Sequence, residues 1–160
     1  MQLIEERIVP VPRDQVWEAL TDARILQACI PGCEFVEKVS PIQFDIQVVT
    51  RLGPMNAKFN GEMLLENMIP PESYSLVAVP KGGAASMAKG EAHLKLSPFE
   101  VNGRDCTRLS YTINAVIGGK MARVGSKLVD AVAIRMANHF FERFIVLVSE
   151  AEKIKGDVTL

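Results

Sequence analysis

The sequence predicts an α+β domain: an antiparallel sheet of seven strands, two short helices after the first strand, and one long C-terminal helix. Three observations carry this reading. Apolar residues recur with period two in seven separate stretches. Short turn-forming segments separate the last six of those stretches, so neighbours pair as hairpins in a meander. From Lys120 to about Lys153 there is no proline, and apolar residues return at three- and four-residue spacing. The 160 residues, 48% of them hydrophobic, suit a single domain over 1–160 with a core large enough to fold without disulfides or a structural metal.

Taken in order, residues 2–9 mix Leu, Ile and Val with Glu and Arg, as a half-buried strand does, and Pro10 and Pro12 end it because proline cannot donate to a ladder. Val16, Trp17 and Leu20 mark a helix over 13–20. Thr21-Asp22 offers a cap for a second helix over about 23–28, which Ile30-Pro31-Gly32 stops. The six further strands fall at 34–39, 43–52, 55–68, 73–80, 87–96 and 107–116. They are divided at Ser40-Pro41, Gly53-Pro54, Pro70-Pro71, Gly82-Gly83 and Asn102-Gly103. Gly61, inside the long third one, signals a bulge or a close backbone approach. Gly118-Gly119 breaks the last strand, and the long helix carries Met121, Val124, Leu128, Val132, Met136, Phe140, Phe144 and Leu147 on its apolar stripe, fraying after Val148. Only this helix is large enough to cover the apolar face of the sheet. A twisted sheet curled around one helix cannot close tightly along its whole length, so an internal cavity is expected.

Composition narrows the function. The chain carries 18 basic and 19 acidic side chains, net −1, without the basic footprint of a nucleic-acid binder. No uncharged run reaches the ~20 residues that span a bilayer, and the first residues lack a signal-peptide pattern. Cys29, Cys33 and Cys106 make an odd count, which reads as reduced thiols in a cytoplasmic protein. The two histidines, His93 and His139, sit on different elements outside any ligand-spaced cluster. Cys29-x-x-x-Cys33 has neither redox nor zinc spacing, and the glycines at 82–90 lack phosphate-loop spacing. Nothing points to a metal, a covalent cofactor or acid–base catalysis.

Alternation sorts the faces. Phe44, Ile46 and Val48 point one way; so do Met55, Ala57, Phe59, Gly61, Met63 and Leu65, then Ala88, Gly90, Ala92, Leu94 and Leu96, then Leu109, Tyr111, Ile113 and Ala115. This inward set is short of bulk at Ala57, Gly61, Ala88, Gly90, Ala92 and Ala115, which fits either a ligand cavity or close packing against Phe140, Phe141 and Phe144. It is also rich in methionine, which suits either an adaptable apolar site or ordinary gap filling. Tyr111 and Thr50 are the candidate polar groups. The candidate ligand contacts are thus Phe44, Ile46, Met55, Ala57, Phe59, Gly61, Met63, Ala92, Leu94, Leu109, Tyr111 and Ile113 from the sheet, with Val124, Leu128, Val132 and Met136 from the helix. The small apolar tip at 82–87 is either an ordinary turn or a contact with a membrane or partner, and with Gly118-Gly119 it is the candidate mover for ligand access.

Several motifs occur in order: Ile30-Pro31-Gly32-Cys33-Glu34; Leu52-Gly53-Pro54-Met55 with Ala57-x-Phe59-x-Gly61; Gly90-x-Ala92; Leu109-x-Tyr111; Gly118-Gly119-Lys120-Met121-Ala122-x-Val124-Gly125-Ser126-x-Leu128; and Phe140-Phe141. With them, the chain from Met1 to about Val148 resembles the G-subunit family of carbon monoxide dehydrogenase, and its architecture resembles the helix-grip fold of the START/Bet v 1-like superfamily. The resemblance implies a non-catalytic accessory protein of a carbon monoxide dehydrogenase-like molybdenum hydroxylase, binding a quinone or another lipophile and linking the enzyme to the inner face of the cytoplasmic membrane. The molybdenum belongs to the partner. Some members continue through a linker to a hydrophobic anchor; with Leu160 as the last residue, membrane contact here is expected to be peripheral or indirect. The superfamily also implies two alternatives, a cyclase or aromatase enzyme and a ligand-free structural adaptor.

Overall fold

Strands β1 (Gln2–Val9), β2 (Cys33–Ser40), β3 (Gln43–Leu52), β4 (Met55–Ile69), β5 (Ser73–Pro80), β6 (Met87–Val101) and β7 (Arg104–Ile117) form one antiparallel sheet in the order β1-β7-β6-β5-β4-β3-β2. Helices α1 (Arg13–Leu20) and α2 (Ala23–Cys29) lie in the chain between the two edge strands, and α3 (Ser126–Val158) follows the last strand. The computed structural model of the chain describes residues 1–81, 87–117 and 123–158, with side chains except at 52, 55, 87–89, 117 and 153–158. The tip expected at 82–87 and the Gly118-Gly119 hinge therefore fall largely outside the described residues, as does Met121.

Local chemistry accounts for the boundaries. Asp22 caps α2 by accepting from the Arg24 N–H at 2.9 Å. Gly32 follows at φ +72°, and its carbonyl accepts from the Val49 N–H at 2.9 Å; a Cβ there would lie 1.9 Å from the Val49 carbonyl oxygen. No side chain fits, which explains the turn in Ile30-Pro31-Gly32.

Four boundaries differ from the sequence expectation by three residues or more. Strands β6 and β7 run on to Val101 and from Arg104, because Asn102 (φ 51°) and Gly103 (φ 78°) form a two-residue left-handed turn whose twist suits a tight hairpin. Pro98 is tolerated in β6 because β5 stops pairing at Ser73↔Lys95, leaving that end of β6 bonded only to β7. Helix α3 starts at Ser126, not Lys120, directly after Gly125 at φ 94°. It also continues beyond Val148 to Val158, through a stretch of good helix formers, Glu150-Ala151-Glu152-Lys153. Its 33 residues span about 50 Å.

Gly61 is a close approach and not a bulge. Pairing of β4 with β3 passes through it without a shift, and a Cβ would lie 2.3 Å from the Val79 carbonyl oxygen. The irregularity falls instead between Glu66 and Ile69, around Asn67 at φ 52°.

Among the described residues the core has two parts. A main cluster joins α1, α2 and the C-terminal half of α3 to the sheet through Val16, Leu26, Cys29, Phe44, Leu109, Phe141, Phe144 and Val148. A small one holds only Ala57, Val129 and Val132, with Met1, Val124, Leu128 and Met136 against it.

Candidate functional site

Between the two clusters lies a cavity of about 380 Å³. Alternation along each strand builds its walls: Ile46, Val48 and Thr50 from β3, Ala57, Phe59 and Met63 from β4, Leu76 and Ala78 from β5, Gly90 and Ala92 from β6, and Ile113 and Ala115 from β7. Helix α3 supplies Val129, Val132, Ala133 and Met136, the three-and-four spacing of a single helical face. Met1 completes the wall, its carbonyl accepting from the Ala115 N–H at 3.0 Å. Register explains the empty space. Ala78 pairs with Gly90 and Gly90 with Ala115, so three adjacent strands present almost no side chain at one level. A Cβ on Gly90 would meet only the Ala78 methyl, at 3.7 Å.

The lining is apolar except for Thr50 and the exposed residues Lys58 and Glu91, which border it. Such a surface can hold an apolar molecule by excluding water and offers a hydroxyl to a polar head.

Of the residues expected from the sequence, Ile46, Ala57, Phe59, Met63, Ala92, Ile113, Val132 and Met136 line this cavity. Phe44, Leu94, Leu109 and Tyr111 do not; they lie farther along the strands, in the main cluster, where the aromatic side chains of α3 fill the space. Gly61 is buried on the inner face but outside the lining, Val124 and Leu128 pack on the small cluster, and the Met55 side chain is outside the described residues. Of the two candidate polar groups Thr50 lines the cavity and Tyr111 does not, while Val48, Gly90 and Ala115, sorted to the inner face by alternation but left out of the expected contacts, line it as well. Leu76 and Ala78 carried a weaker signal, because the outer face of β5 changes from Ser73 and Ser75 to the apolar Val77 and Val79.

Tyr111 serves a different assembly. Its hydroxyl donates to Glu5 Oε2, and Arg7 donates to the Tyr111 hydroxyl at 3.4 Å, to Glu5 Oε2 at 2.8 Å and to Asn138 Oδ1 at 2.5 Å. The Arg7 guanidinium sits 4.9 Å from the centre of the Phe141 ring, which stacks on Tyr111 at 5.1 Å. The Tyr111 hydrogen bond, followed by those of Arg7, holds the Glu5 carboxyl below its ordinary value against the opposing effect of burial. Burial, then the bond to Glu5, pushes Tyr111 up to about 12. Burial disfavours the charged form of Arg7, but its bonds to Tyr111 and Glu5 outweigh this and its pKa is raised.

Other reactive groups stand apart from the cavity. Burial pushes the Cys29 thiol up to about 11, so it is protonated at neutral pH. His93 meets Ser75 through Nδ1 at 2.9 Å, a cross-strand pair on the outer face of the sheet. Among the described residues, no three His, Cys, Asp or Glu side chains come together as metal ligands. A cleft of about 530 Å³ with a mixed polar and apolar lining lies near the β6–β7 turn, beside Arg13, Asp14, Phe99, Glu100 and Asp105.

A curved antiparallel sheet gripping one long helix, with an apolar cavity between them, is a helix-grip fold, the fold that START/Bet v 1-like proteins share. Solved structures agree. A conserved protein from Geobacillus kaustophilus superposes with TM-score 0.84 at 24% identity, covering 94% of this chain and 97% of that one. A START superfamily protein from Mycobacterium smegmatis gives 0.73 at 12% identity, over 94% and 98%. The ZhuI aromatase/cyclase from Streptomyces sp. R1128 gives 0.69 at 14%, over 93% of each chain. At these identities the likeness concerns the fold alone. Family assignment is more specific: residues 6–148 match the G subunit of carbon monoxide dehydrogenase (CoxG), and the chain belongs to that family. No curated protein matches it.

Proposed function

We propose that the protein is a non-catalytic accessory component of a carbon monoxide dehydrogenase-like molybdenum hydroxylase system, and that its cavity carries a quinone or another lipophile between that enzyme and the membrane. The observation that carries the reading is the apolar cavity of about 380 Å³ that divides the core. A domain of this size has enough apolar side chains to fill such a space, yet the register of Ala78, Gly90 and Ala115 keeps it open. Each ~100 Å² of apolar ligand surface removed from water there contributes about 2.5 kcal/mol before the cost of association. Family membership supports the choice of partner, since the family is described by its carbon monoxide dehydrogenase. Among the described residues no helix is long and apolar enough to cross a membrane, and on this reading contact with the bilayer is peripheral.

The test is native mass spectrometry of the purified protein for a bound lipophile, followed by titration with 2-methyl-1,4-naphthoquinone. Ala92→Phe, which fills the cavity from β6, is expected to lower affinity at least about tenfold while unfolding as cooperatively as the parent. Equal affinity in the variant would sink the proposal.

A further inference from the structure

Strand β6 outruns one of its neighbours. It is bonded to β5 as far as Ser73↔Lys95, and the Leu96 N–H still reaches the Glu72 carbonyl at 2.7 Å. Past that point β6 continues to Val101 against β7 alone. Backbone groups along a strand alternate between its two sides, so the next ones on the side of Leu96 belong to Pro98 and Glu100. Pro98 offers a carbonyl, Glu100 an N–H and a carbonyl, and among the described residues none of the three has a partner. The cleft of about 530 Å³ lies along this free edge, with Pro12 and Pro71 also in its lining. Its charges are unmatched as well. Glu100 and Asp105 stand directly opposite each other in the β6–β7 register, a like-charge pair that costs stability. Asp14 of α1 joins them in the lining, against Arg13 as its one cation. Among the described residues, no ion pair or hydrogen bond within the chain engages any of these four side chains.

We propose that the edge of β6 at residues 98–100 takes up an extended segment of a partner protein that carries lysine or arginine. Two independent features ask for the same occupant. A free strand edge bonds an extended backbone. Carboxylates in excess, facing one another without cations of their own, select basic side chains. A metal ion does not fit in their place, since among the described residues no three His, Cys, Asp or Glu side chains come together as ligands. Pro98 lacks a donor, which limits the pairing to a short segment and guards the edge against indiscriminate addition. From Gly90 in the cavity wall to Phe99 in the cleft is nine residues of one strand, about 30 Å, so the two sites can be filled at once. The proposal rests on the proposed function only for the partner's identity, the dehydrogenase; the edge is testable without it.

The probe is the peptide acetyl-Lys-Val-Lys-Val-Lys-Val-amide, titrated into the full chain and followed by amide hydrogen exchange read by NMR. In the free protein the Glu100 amide should exchange at least about tenfold faster than those of Phe99 and Val101, which face β7, and bound peptide should slow it by a similar factor. Glu100→Lys turns attraction into repulsion and should weaken peptide binding at least about tenfold. Its urea unfolding should stay cooperative, because the like-charge pair is gone. Glu142→Lys makes the same charge change on the exposed face of α3 and should bind as the parent does. An equal loss in both variants, no binding at all, or binding that leaves Glu100 unprotected would overturn the proposal. So would protection of Glu100 that grows with protein concentration alone, the mark of a second copy on the edge. Purified carbon monoxide dehydrogenase should be retained by the parent and lost by Glu100→Lys; equal retention would refute the dehydrogenase as the source of the segment. Both proteins should bind 2-methyl-1,4-naphthoquinone alike. Failure of both to bind it would refute the cavity reading while leaving the β6 edge standing.

Discussion

A methyl group added at Gly32 would overlap the carbonyl oxygen of Val49, in a backbone conformation that L side chains rarely adopt. Gly90 presents the opposite case: its backbone is ordinary, and an added methyl would meet only that of Ala78 at 3.7 Å. The two glycines make a matched pair for urea unfolding. Gly32→Ala should lose about 2–4 kcal/mol through a lower midpoint at unchanged slope, whereas Gly90→Ala should be neutral or gain up to about 1 kcal/mol from the strand preference. The sequence made Gly32 readable, since Ile30-Pro31-Gly32 can only be a stop. It left Gly90 ambiguous, because a small residue facing inward marks close packing as readily as empty space.

At the scale of the element, β1 is an edge strand that turns two charges inward. Glu5 and Arg7 occupy positions where Leu3 and Val9 on the same face are apolar. Inward charge on an edge discourages another strand from adding to it. Here the charges also fasten the helix. Protonating Glu5 undoes part of that fastening, and the sign follows from its pKa, which is lowered in the fold below the ordinary 4.5. The stabilisation is present above pH 4.5 and is lost as pH falls through the lower folded value. Thermal unfolding from pH 6 to pH 3 should show Glu5→Gln losing less stability than the parent over that limb; parallel curves would refute the assignment. The hairpins were legible element by element because Ser40-Pro41, Gly53-Pro54 and Asn102-Gly103 are turn signals with a mechanism. The beginning of α3 was not, because the apolar series at Met121 and Val124 runs unbroken across Gly125.

For the whole molecule, the division of the core governs how damage spreads. Phe144 is fully buried where α3 meets the sheet and the two short helices. Phe144→Ala should cost about 3–5 kcal/mol in denaturant unfolding. Val132 is also buried, but its surroundings already contain space, so Val132→Ala should cost less than about 1.5 kcal/mol. A similar loss in both variants would mean that the two clusters act as one. The architecture could be read from strand count and helix length, since one face of such a sheet must be covered and a single helix was available. The position of the cavity along α3 could not. It depends on which residues of neighbouring strands stand at the same level, and alternation within one strand gives no such information.

The sheet order places the first strand beside the last, pairing Gln2 with Asn114 and Val9 with Thr107. On the ribosome, β1 leaves the exit tunnel about a hundred residues before its partner exists. At the usual synthesis rate of about 5–20 residues per second, that is a delay of roughly 5–20 s. During that interval a strand carrying Leu3, Ile4, Ile8 and Val9 has no ladder to join. Charges at Glu5, Glu6 and Arg7 keep it soluble while it waits, so Glu5 and Arg7, which later bond Tyr111 and Asn138, first serve the nascent chain.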